Sequence, residues 1–442
     1  MSHFSGLNQE VHNYMTQEVP NSLKSCSSAQ AIKTRNRIFQ VSSTSQSQSS
    51  GGVILFNIPP SNYAITKGTM ALRLRVTVTG TNLTGADAAH SVGFQGVGAV
   101  NAAFVPSFGN GFAPINRLTL YGANSAVIEQ QNYCNDNMNL LLNHNSNSSW
   151  LAADGQILCG VGCPFNYYPA TGLTSFIDLV LPLPLSVFNS ATQDFPNYLL
   201  SAPLTLQIDL ASVARAIFRG ATATITDYTV SNTYLIYQAV ELPASYVEAE
   251  RMAVKSSPFI MPLTSTLAVQ VPASILTSYS LGLNASSVRA VFVLPSNGAG
   301  YSSATQLEYI RDTVDGAATG WNGAGVNNIV FVDGNQINSA IFDNPVMCFQ
   351  GLKNALHHNL QGSILYPSPC PLANYITQFY ALGFDLTSYD DEASLFSGTP
   401  CTTLNIQLTG SGATQPTYLS TIIVVYDVLL AFEADGTMQV KR

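Results

Sequence analysis

The sequence predicts an all-β chain made of two consecutive antiparallel β-sandwiches. Three observations predict it. Short β-branched or aromatic runs with period-two character recur along the chain, each bounded by Gly, Pro, Asn or Ser. With 32 Gly, 22 Pro and few amphipathic helical stretches between these runs, a parallel βαβ architecture is disfavoured. Finally, the second half of the chain repeats the first.

The first fifty residues are rich in Ser, Gln and Asn, and 42–50 is almost entirely small and polar before Gly51-Gly52. This composition predicts an arm followed by a flexible hinge. Lys24, Lys33, Arg35 and Arg37 give the arm a local positive excess, suited to a lipid headgroup layer or a partner as well as to solvent. Strands are then predicted at 53–58, 70–79, 115–121, 176–183, 204–210 and 234–242, the second with Leu72, Leu74, Val76 and Val78 alternating. Two helices are predicted, 129–142 and 344–358; the latter sets Val346, Phe349, Leu352 and Leu356 on one stripe.

The repetition has three parts in the same order. Residues 115–122, a strand ending in Gly before a helix, are matched by 327–334. Leu206-Gln207-Ile208-Asp209-Leu210 is echoed 198 positions later by Leu404-Asn405-Ile406-Gln407-Leu408. Tyr234-Leu235-Ile236-Tyr237 is echoed 189 positions later by Ile423-Val424-Val425-Tyr426. Two copies of one β-domain account for this, since a solenoid would repeat every ~20 to 50 residues. The expected organisation is an arm at 1–50, a first domain at 51–248 and a second at 249–442, with the boundary at the charge cluster of Glu248, Glu250, Arg251 and Lys255.

Composition narrows the function. Only 10% of the 442 residues are charged, against ~25% in an average soluble domain. A net charge of -8 excludes a protein built to neutralise nucleic-acid phosphates. A hydrophobic share of 46% excludes a disordered chain. The most apolar stretch, 422–432, contains Asp427 and is shorter than the ~20 residues a bilayer-spanning helix needs. Seven cysteines, an odd count, and a polar opening of ten residues predict synthesis inside a cell with thiols reduced. The glycosylation sequons at Asn82, Asn147 and Asn284 are expected by chance in so Asn-, Ser- and Thr-rich a chain.

No catalytic, cofactor-binding or metal-binding residue is assigned, and no cofactor is expected. Cys159 and Cys163 offer two thiolates without a second pair or a nearby His, and read as loop cysteines. His357 and His358 are adjacent, about 100° apart on a helix, unlike the i, i+4 pairs that grip zinc. The glycines Gly93, Gly96, Gly98, Gly109 and Gly111 lack the Lys-Ser/Thr of a phosphate cradle and read as a long loop. Asp390-Asp391-Glu392 has calcium-like chemistry but reads as a solvated acidic loop. With two Trp, Trp150 and Trp321, the aromatic platforms of a lectin are weakly represented.

Three segments carry a resemblance. Leu181-Pro182-Leu183-Pro184-Leu185-Ser186-Val187-Phe188 is followed by Asp194-Phe195-Pro196-Asn197-Tyr198-Leu199-Leu200 and then by the strand at 204–210. In the second half, Tyr380-Ala381-Leu382-Gly383-Phe384-Asp385-Leu386 precedes the acidic loop, Ser397-Gly398-Thr399 and a hydrophobic strand. The third is the strand, Gly turn, Glu129 and helix of 115–142. In this order the segments resemble double jelly-roll major capsid proteins of nucleocytoplasmic large DNA viruses, virophages and Polinton-type elements. Two departures are that Phe188 alone stands for the aromatics after the Pro-Leu-Pro element, and that Pro400-Cys401 follows Thr399.

The resemblance implies two jelly rolls per chain, homotrimeric pseudo-hexagonal capsomers and an icosahedral shell assembled inside a host cell. It further implies neighbouring capsomers and minor capsid or penton proteins as partners, and an N-terminal arm directed inward, near an internal membrane. No enzymatic activity and no direct sequence-specific nucleic-acid binding are implied. The alternative left open by the residues is a two-domain β-sandwich glycan hydrolase or a carbohydrate-binding surface protein.

Overall fold

The structure, a computed structural model, describes residues 35–83, 92–94, 109–144, 150, 153–161, 172–189, 193–219, 223–272, 276–297, 327–337, 345–360, 381–387, 398–409 and 418–441. The first half holds β1 (Arg35–Ser42), β2 (Ser47–Ser49), β3 (Val53–Ile58), β4 (Tyr63–Ile65), β5 (Ala71–Leu83), β6 (Val92–Phe94), β7 (Ile115–Tyr121), β8 (Val127–Asn132), β9 (Gly172–Pro182), β10 (Leu204–Leu210), β11 (Ile217–Arg219) and β12 (Thr224–Glu241). One sheet runs β1-β12-β5-β9, with β2 and β4 also on β12; the other runs β3-β10-β7-β8. Set aside the short β2, β4, β6 and β11, and the first, eighth, third and sixth strands form one sheet. The second, seventh, fourth and fifth form the other. That alternation between two sheets is the jelly roll.

The second half holds β13 (Phe259–Pro272), β14 (Leu276–Asn297), β15 (Asn327–Val332), β16 (Asn335–Gln336), β17 (Leu382–Asp385), β18 (Thr399–Thr409), β19 (Tyr418–Phe432) and β20 (Met438–Lys441). Here β14 does the work of two strands. Its N-terminal part pairs with β18 and its C-terminal part with β19 and β17. The orders β13-β19-β14-β17 and β14-β18-β15-β16 therefore repeat the two sheets of the first half, with β20 added on β19. The change of partner falls at register shifts between Gly282 and Val288, where Asn284 has φ 48. Bulges bend a strand, and Asn accepts left-handed backbone more readily than most residues.

The sequence repeat extends to register. Leu206 and Ile208 on β10 face Leu120 and Leu118 on β7. Their counterparts Leu404 and Ile406 on β18 face Val332 and Val330 on β15. Loop closure repeats too: Leu183 N–H donates to the Met70 carbonyl at 3.0 Å, and at the matching place Leu386 N–H donates to the Arg289 carbonyl at 2.8 Å.

Six α-helices are described: α1 (Cys134–His144), α2 (Asp154–Cys159), α3 (Ser186–Asn189), α4 (Val213–Ala216), α5 (Ala244–Ser256) and α6 (Pro345–Leu360). α6 agrees with the expected second helix, burying Leu352 and Leu356 and half-burying Phe349, but Val346 is 62% exposed because it lies in the first turn, off the packed face. The expected helix at 129–142 is corrected. Val127–Asn132 is a strand and the helix begins at Cys134, since Ile128, Glu129 and Gln131 are buried against the rest of the fold. The charge cluster at 248–255 lies on α5, which joins β12 to β13 and buries Val247 and Val254.

The expected arm is also shortened. Arg35–Ser42 pairs along β12 from Glu241 to Tyr234, and Ser47–Ser49 pairs with Ser231 to Thr229. A polar strand can pair through its backbone when one face is apolar. Phe39 supplies that face, stacked on Tyr237 at 5.4 Å and edge-on to Tyr63 at 4.8 Å. Residues 1–34 and most of residues 81–114, 142–174 and 297–326 lie outside the described residues.

The buried apolar side chains of both halves belong to one continuous core. At its centre Phe188 meets Phe195 at 5.2 Å, Phe195 meets Phe432 at 5.7 Å, and Phe432 meets Phe259 at 5.6 Å. The first two rings come from the first sandwich and the last two from the second. Aromatic pairs of this kind add ~0.5 to 1.5 kcal/mol each beyond area burial, and the pair of Phe195 and Phe432 carries the cluster across from one sandwich to the other.

Candidate functional site: the seam between the two sandwiches

The polar groups with the most unusual environments gather where the sandwiches meet. Glu129, on β8 opposite Leu120, is 4% exposed. Its Oε1 accepts from Ser186 N–H at 2.9 Å, and its Oε2 from Val187 N–H at 3.0 Å. These are the first N–H groups of α3, which have no partner inside the helix. Gln131 Nε2 bridges from Glu129 at 3.2 Å to the Pro184 carbonyl. Ser186 Oγ lies 3.0 Å from Glu129 Oε1 and also contacts the Thr264 carbonyl on β13 of the second sandwich. Burial pushes the Glu129 carboxyl above its usual range, and the hydrogen bonds from Ser186, Val187 and Gln131 oppose that rise. The Pro-Leu-Pro element and Glu129, far apart in sequence, are thus one joint.

A second tie uses a buried ion pair. Arg215 on α4 reaches Asp136 on α1 at 3.2 Å, and its guanidinium lies 4.9 Å over the Tyr133 ring. Thr421 on β19 donates its hydroxyl to the same Asp136 carboxylate at 2.5 Å. The charge pair of the first sandwich is therefore completed by the second. At a third contact, Ser201 N–H donates to the Gly436 carbonyl at 3.2 Å. Gly436 has φ 80, and a Cβ there would come 2.7 Å from Ser201.

The Ser-Gly-Thr segment acts within the second sandwich. Gly398 N–H donates to Ser287 Oγ at 2.9 Å, and Ser287 Oγ donates to Asp427 at 2.5 Å. Arg289 pairs with the other Asp427 oxygen at 2.6 Å. A Cβ on Gly398 would lie 2.4 Å from the Val288 carbonyl oxygen and 2.7 Å from Ser287 Oγ. Only glycine fits so close to the backbone. Asp427, which interrupts the apolar stretch 422–432 in the sequence, is this buried anchor.

An open cleft of about 490 Å³ lies along the seam, lined by Asn116, Arg117, Gln130, Asn132, Asp209 and Gln270 among others. Several polar groups of its walls are engaged: Arg117 Nε donates to Asp209 at 2.5 Å, Gln207 Nε2 from beside the cleft to Asp209 at 2.7 Å, and Gln130 Nε2 to Asn132 at 2.8 Å.

Among the described residues, those weighed for chemistry are not brought together into a catalytic arrangement. Cys159 is buried at the end of α2, with its thiol pushed up to about 12 by burial, while Cys163 lies outside the described residues. Gly111 N–H donates to the Cys159 carbonyl at 2.7 Å and Gly109 N–H to the Phe94 carbonyl at 3.0 Å, so the end of the glycine-rich run packs against protein. Gly93 lies in β6, while Gly96, Gly98 and Asp390-Asp391-Glu392 lie outside the described residues, as do the side chains of His357 and His358 on α6. Among the described residues, no group of three or more His, Cys, Asp or Glu is placed to hold a metal ion. The buried ties at Asp136 and Asp427 were missed by sequence reasoning. An isolated Asp in an apolar run was the available signal for Asp427; Asp136 in a polar helix gave none.

No family model matches the sequence, and no curated protein matches it. Solved structures do match along almost the whole chain. The PBCV-1 virus capsid matches with TM-score 0.58 at 10% identity, covering 93% of this chain and 97% of that one. The Faustovirus major capsid protein matches with TM-score 0.55 at 8% identity, covering 90% of each chain. The mavirus major capsid protein matches with TM-score 0.52 at 12% identity, covering 96% of this chain and 94% of that one. The fold is the double jelly roll of these capsid proteins.

Proposed function

We propose that this chain is a major capsid protein, a structural and non-enzymatic unit that self-associates as a homotrimer and tiles an icosahedral virus shell. The observation that carries this reading is the doubled jelly roll itself, two sandwiches of matching topology and register fixed to each other by a shared aromatic core and the Glu129 and Asp136 ties. Three copies of such a rigid pair place six similar wedges about a three-fold axis, a closed ring of head-to-tail contacts. The whole-length likeness to virus capsid proteins supports the same reading. So does the shortage of charge, because interface cores are depleted in charged residues.

In this reading the chain divides at α5 into two sandwiches, and the arm is residues 1–34, with β1 and β2 belonging to the first sandwich. The arm, carrying Lys24 and Lys33, faces inward toward an internal membrane. Neighbouring capsomers and minor capsid or penton proteins are the partners, and the virion is the location. With a net charge of -8 the shell does not hold a genome by bulk electrostatics. The glycan hydrolase and carbohydrate-binding alternatives gain no support from the seam, whose buried carboxylates are all engaged in ties between segments. Electron microscopy of the purified protein tests the reading: pseudo-hexagonal three-fold tiles are expected, and isolated particles at every concentration would overturn it.

A further inference from the structure

The two sandwiches are equivalent strand for strand, yet their equivalent surfaces are not equally covered. Tyr237 and Tyr426 correspond in the sequence repeat. On β1, Phe39 faces Tyr237 and Ile38 faces Gln238; on β13, Ser265 faces Tyr426 and Thr264 faces Asp427. Ile38 is therefore the counterpart of Thr264, the residue of β13 that meets Ser186 at the seam. β13 lies against β8 and α3 of the first sandwich. Its outward positions Pro262, Thr264 and Thr266 are half-buried and Ala268 is buried. The matching positions of β1, namely Asn36, Ile38, Gln40 and Ser42, are all exposed, Ile38 at 74%.

The other side of the seam shows the same asymmetry. On β8, Glu129 faces Leu120 and Gln131 faces Leu118. On β16, Asn335 faces Val332, and the next-but-one residue, Ile337, donates its N–H to the Val330 carbonyl at 3.0 Å. Since Leu120 and Leu118 correspond to Val332 and Val330, Asn335 stands for Glu129 and Ile337 for Gln131. Glu129 and Gln131 are 4% and 3% exposed, covered by α3 and the Pro184 segment of their own sandwich together with β13 of the second. Asn335 is exposed and Ile337 is 37% exposed.

We propose that β1 of one chain and the β16 edge of a second copy dock on each other, in the arrangement that β13 and β8 adopt within the chain, with Ile38 and Ile337 at the centre of the contact. The occupant is a second copy because each bare face is the counterpart of one side of a seam the chain already makes with itself. Residue chemistry agrees: the covered seam has Thr264 and Gln131 at these places, while the two bare faces carry isoleucines, whose burial in an interface is favourable. One face on each sandwich is used, so the contact is heterologous and closes into a ring if the intrachain rotation is repeated. The inference rests on the assembly reading above and assigns it residues.

The test measures mass by light scattering on the full chain. The variants are Ile38→Lys, Ile337→Glu and the two combined. Both side chains are exposed, so far-UV circular dichroism should keep its wild-type shape, and the unfolding midpoint should fall only by what the lost association accounts for. Each single variant is expected to fall from about 142 kDa, three copies of 47.2 kDa, to 47.2 kDa, and the combined variant to return to the trimer as its new charges meet across the contact. Uncharged Ile38→Gln and Ile337→Gln form a second pair, each expected to weaken association by about tenfold or more. Single variants that stay fully trimeric, or a combined variant that stays monomeric, would overturn the pairing and leave the assembly reading standing. A monomeric wild type would instead overturn the assembly reading itself.

Discussion

Replacing Glu129 tests whether the seam is held by the carboxylate or merely surrounds it. Glu129→Ala leaves the N–H groups of Ser186 and Val187 and the amide of Gln131 without their acceptor in a buried site. Each orphaned donor costs about 1 to 3 kcal/mol, while removing a buried carboxyl returns part of its desolvation. The balance is a loss of about 2 to 4 kcal/mol. Glu129→Gln keeps one acceptor but sets an amide N–H against Val187 N–H, a smaller loss of about 1 to 2 kcal/mol. Burial raises the folded carboxyl above its ordinary value of 4.5, so the folded state holds the proton to higher pH than the unfolded chain. The carboxyl then lowers wild-type stability as pH climbs from 4.5 through the folded value, and the deficit of Glu129→Gln should shrink over that window. Urea unfolding across pH reads both effects as a shift in midpoint at unchanged slope. Variants within about 0.5 kcal/mol of wild type would refute the joint, since that is the range of an ordinary surface substitution.

Other perturbations address the remaining ties. Arg215→Ala strands the Asp136 carboxylate in the interior and should destabilise by about 3 to 5 kcal/mol in the same unfolding assay. Gly398→Ala drives a methyl into the Val288 carbonyl and should lower stability by about 1 to 3 kcal/mol or more, whereas a substitution at exposed Gly334 meets no neighbour and is strained only by its φ of 84. The thiols of Cys159 and Cys401, raised by burial to about 12 and 11, should resist alkylation at pH 7 until urea is added, as mass spectrometry would show.

Much of the fold was legible because its strands advertise themselves. The strands at 53–58, 115–121 and 204–210 match the sequence expectation residue for residue, since each is a short β-branched or apolar run, continuous at 53–56 and alternating at 204–210, with turn residues beside it. β14 escaped because it lacks period two. Ala290 to Leu294 is buried on both faces, and the earlier part is broken by Gly282 and Asn284 where the strand bends. β8 was read as helix because its buried residues include Glu129 and Gln131, polar groups whose partners come from α3 and from the loop before it. β1 reads as arm because its outward face is polar apart from Ile38 and its inward face includes Arg37, though Phe39 and Val41 tie that inward face to the core. The seam is legible in part: the segments around Pro184 and Glu129 stand out in the sequence, as does Gly398 within the second sandwich. The groups that complete these ties are the Thr264 backbone carbonyl on Ser186, the Thr421 hydroxyl on Asp136 and the Ser287 hydroxyl on Gly398, and no local pattern marks a Ser or Thr in a strand that bonds across a fold.

The central claim is that two welded jelly rolls make one third of a ring. Sedimentation velocity of the wild-type chain over a wide concentration range measures this most directly. The account predicts a species of three copies, about 142 kDa from chains of 47.2 kDa, that persists on dilution. A single species at 47.2 kDa up to the highest concentration would contradict it.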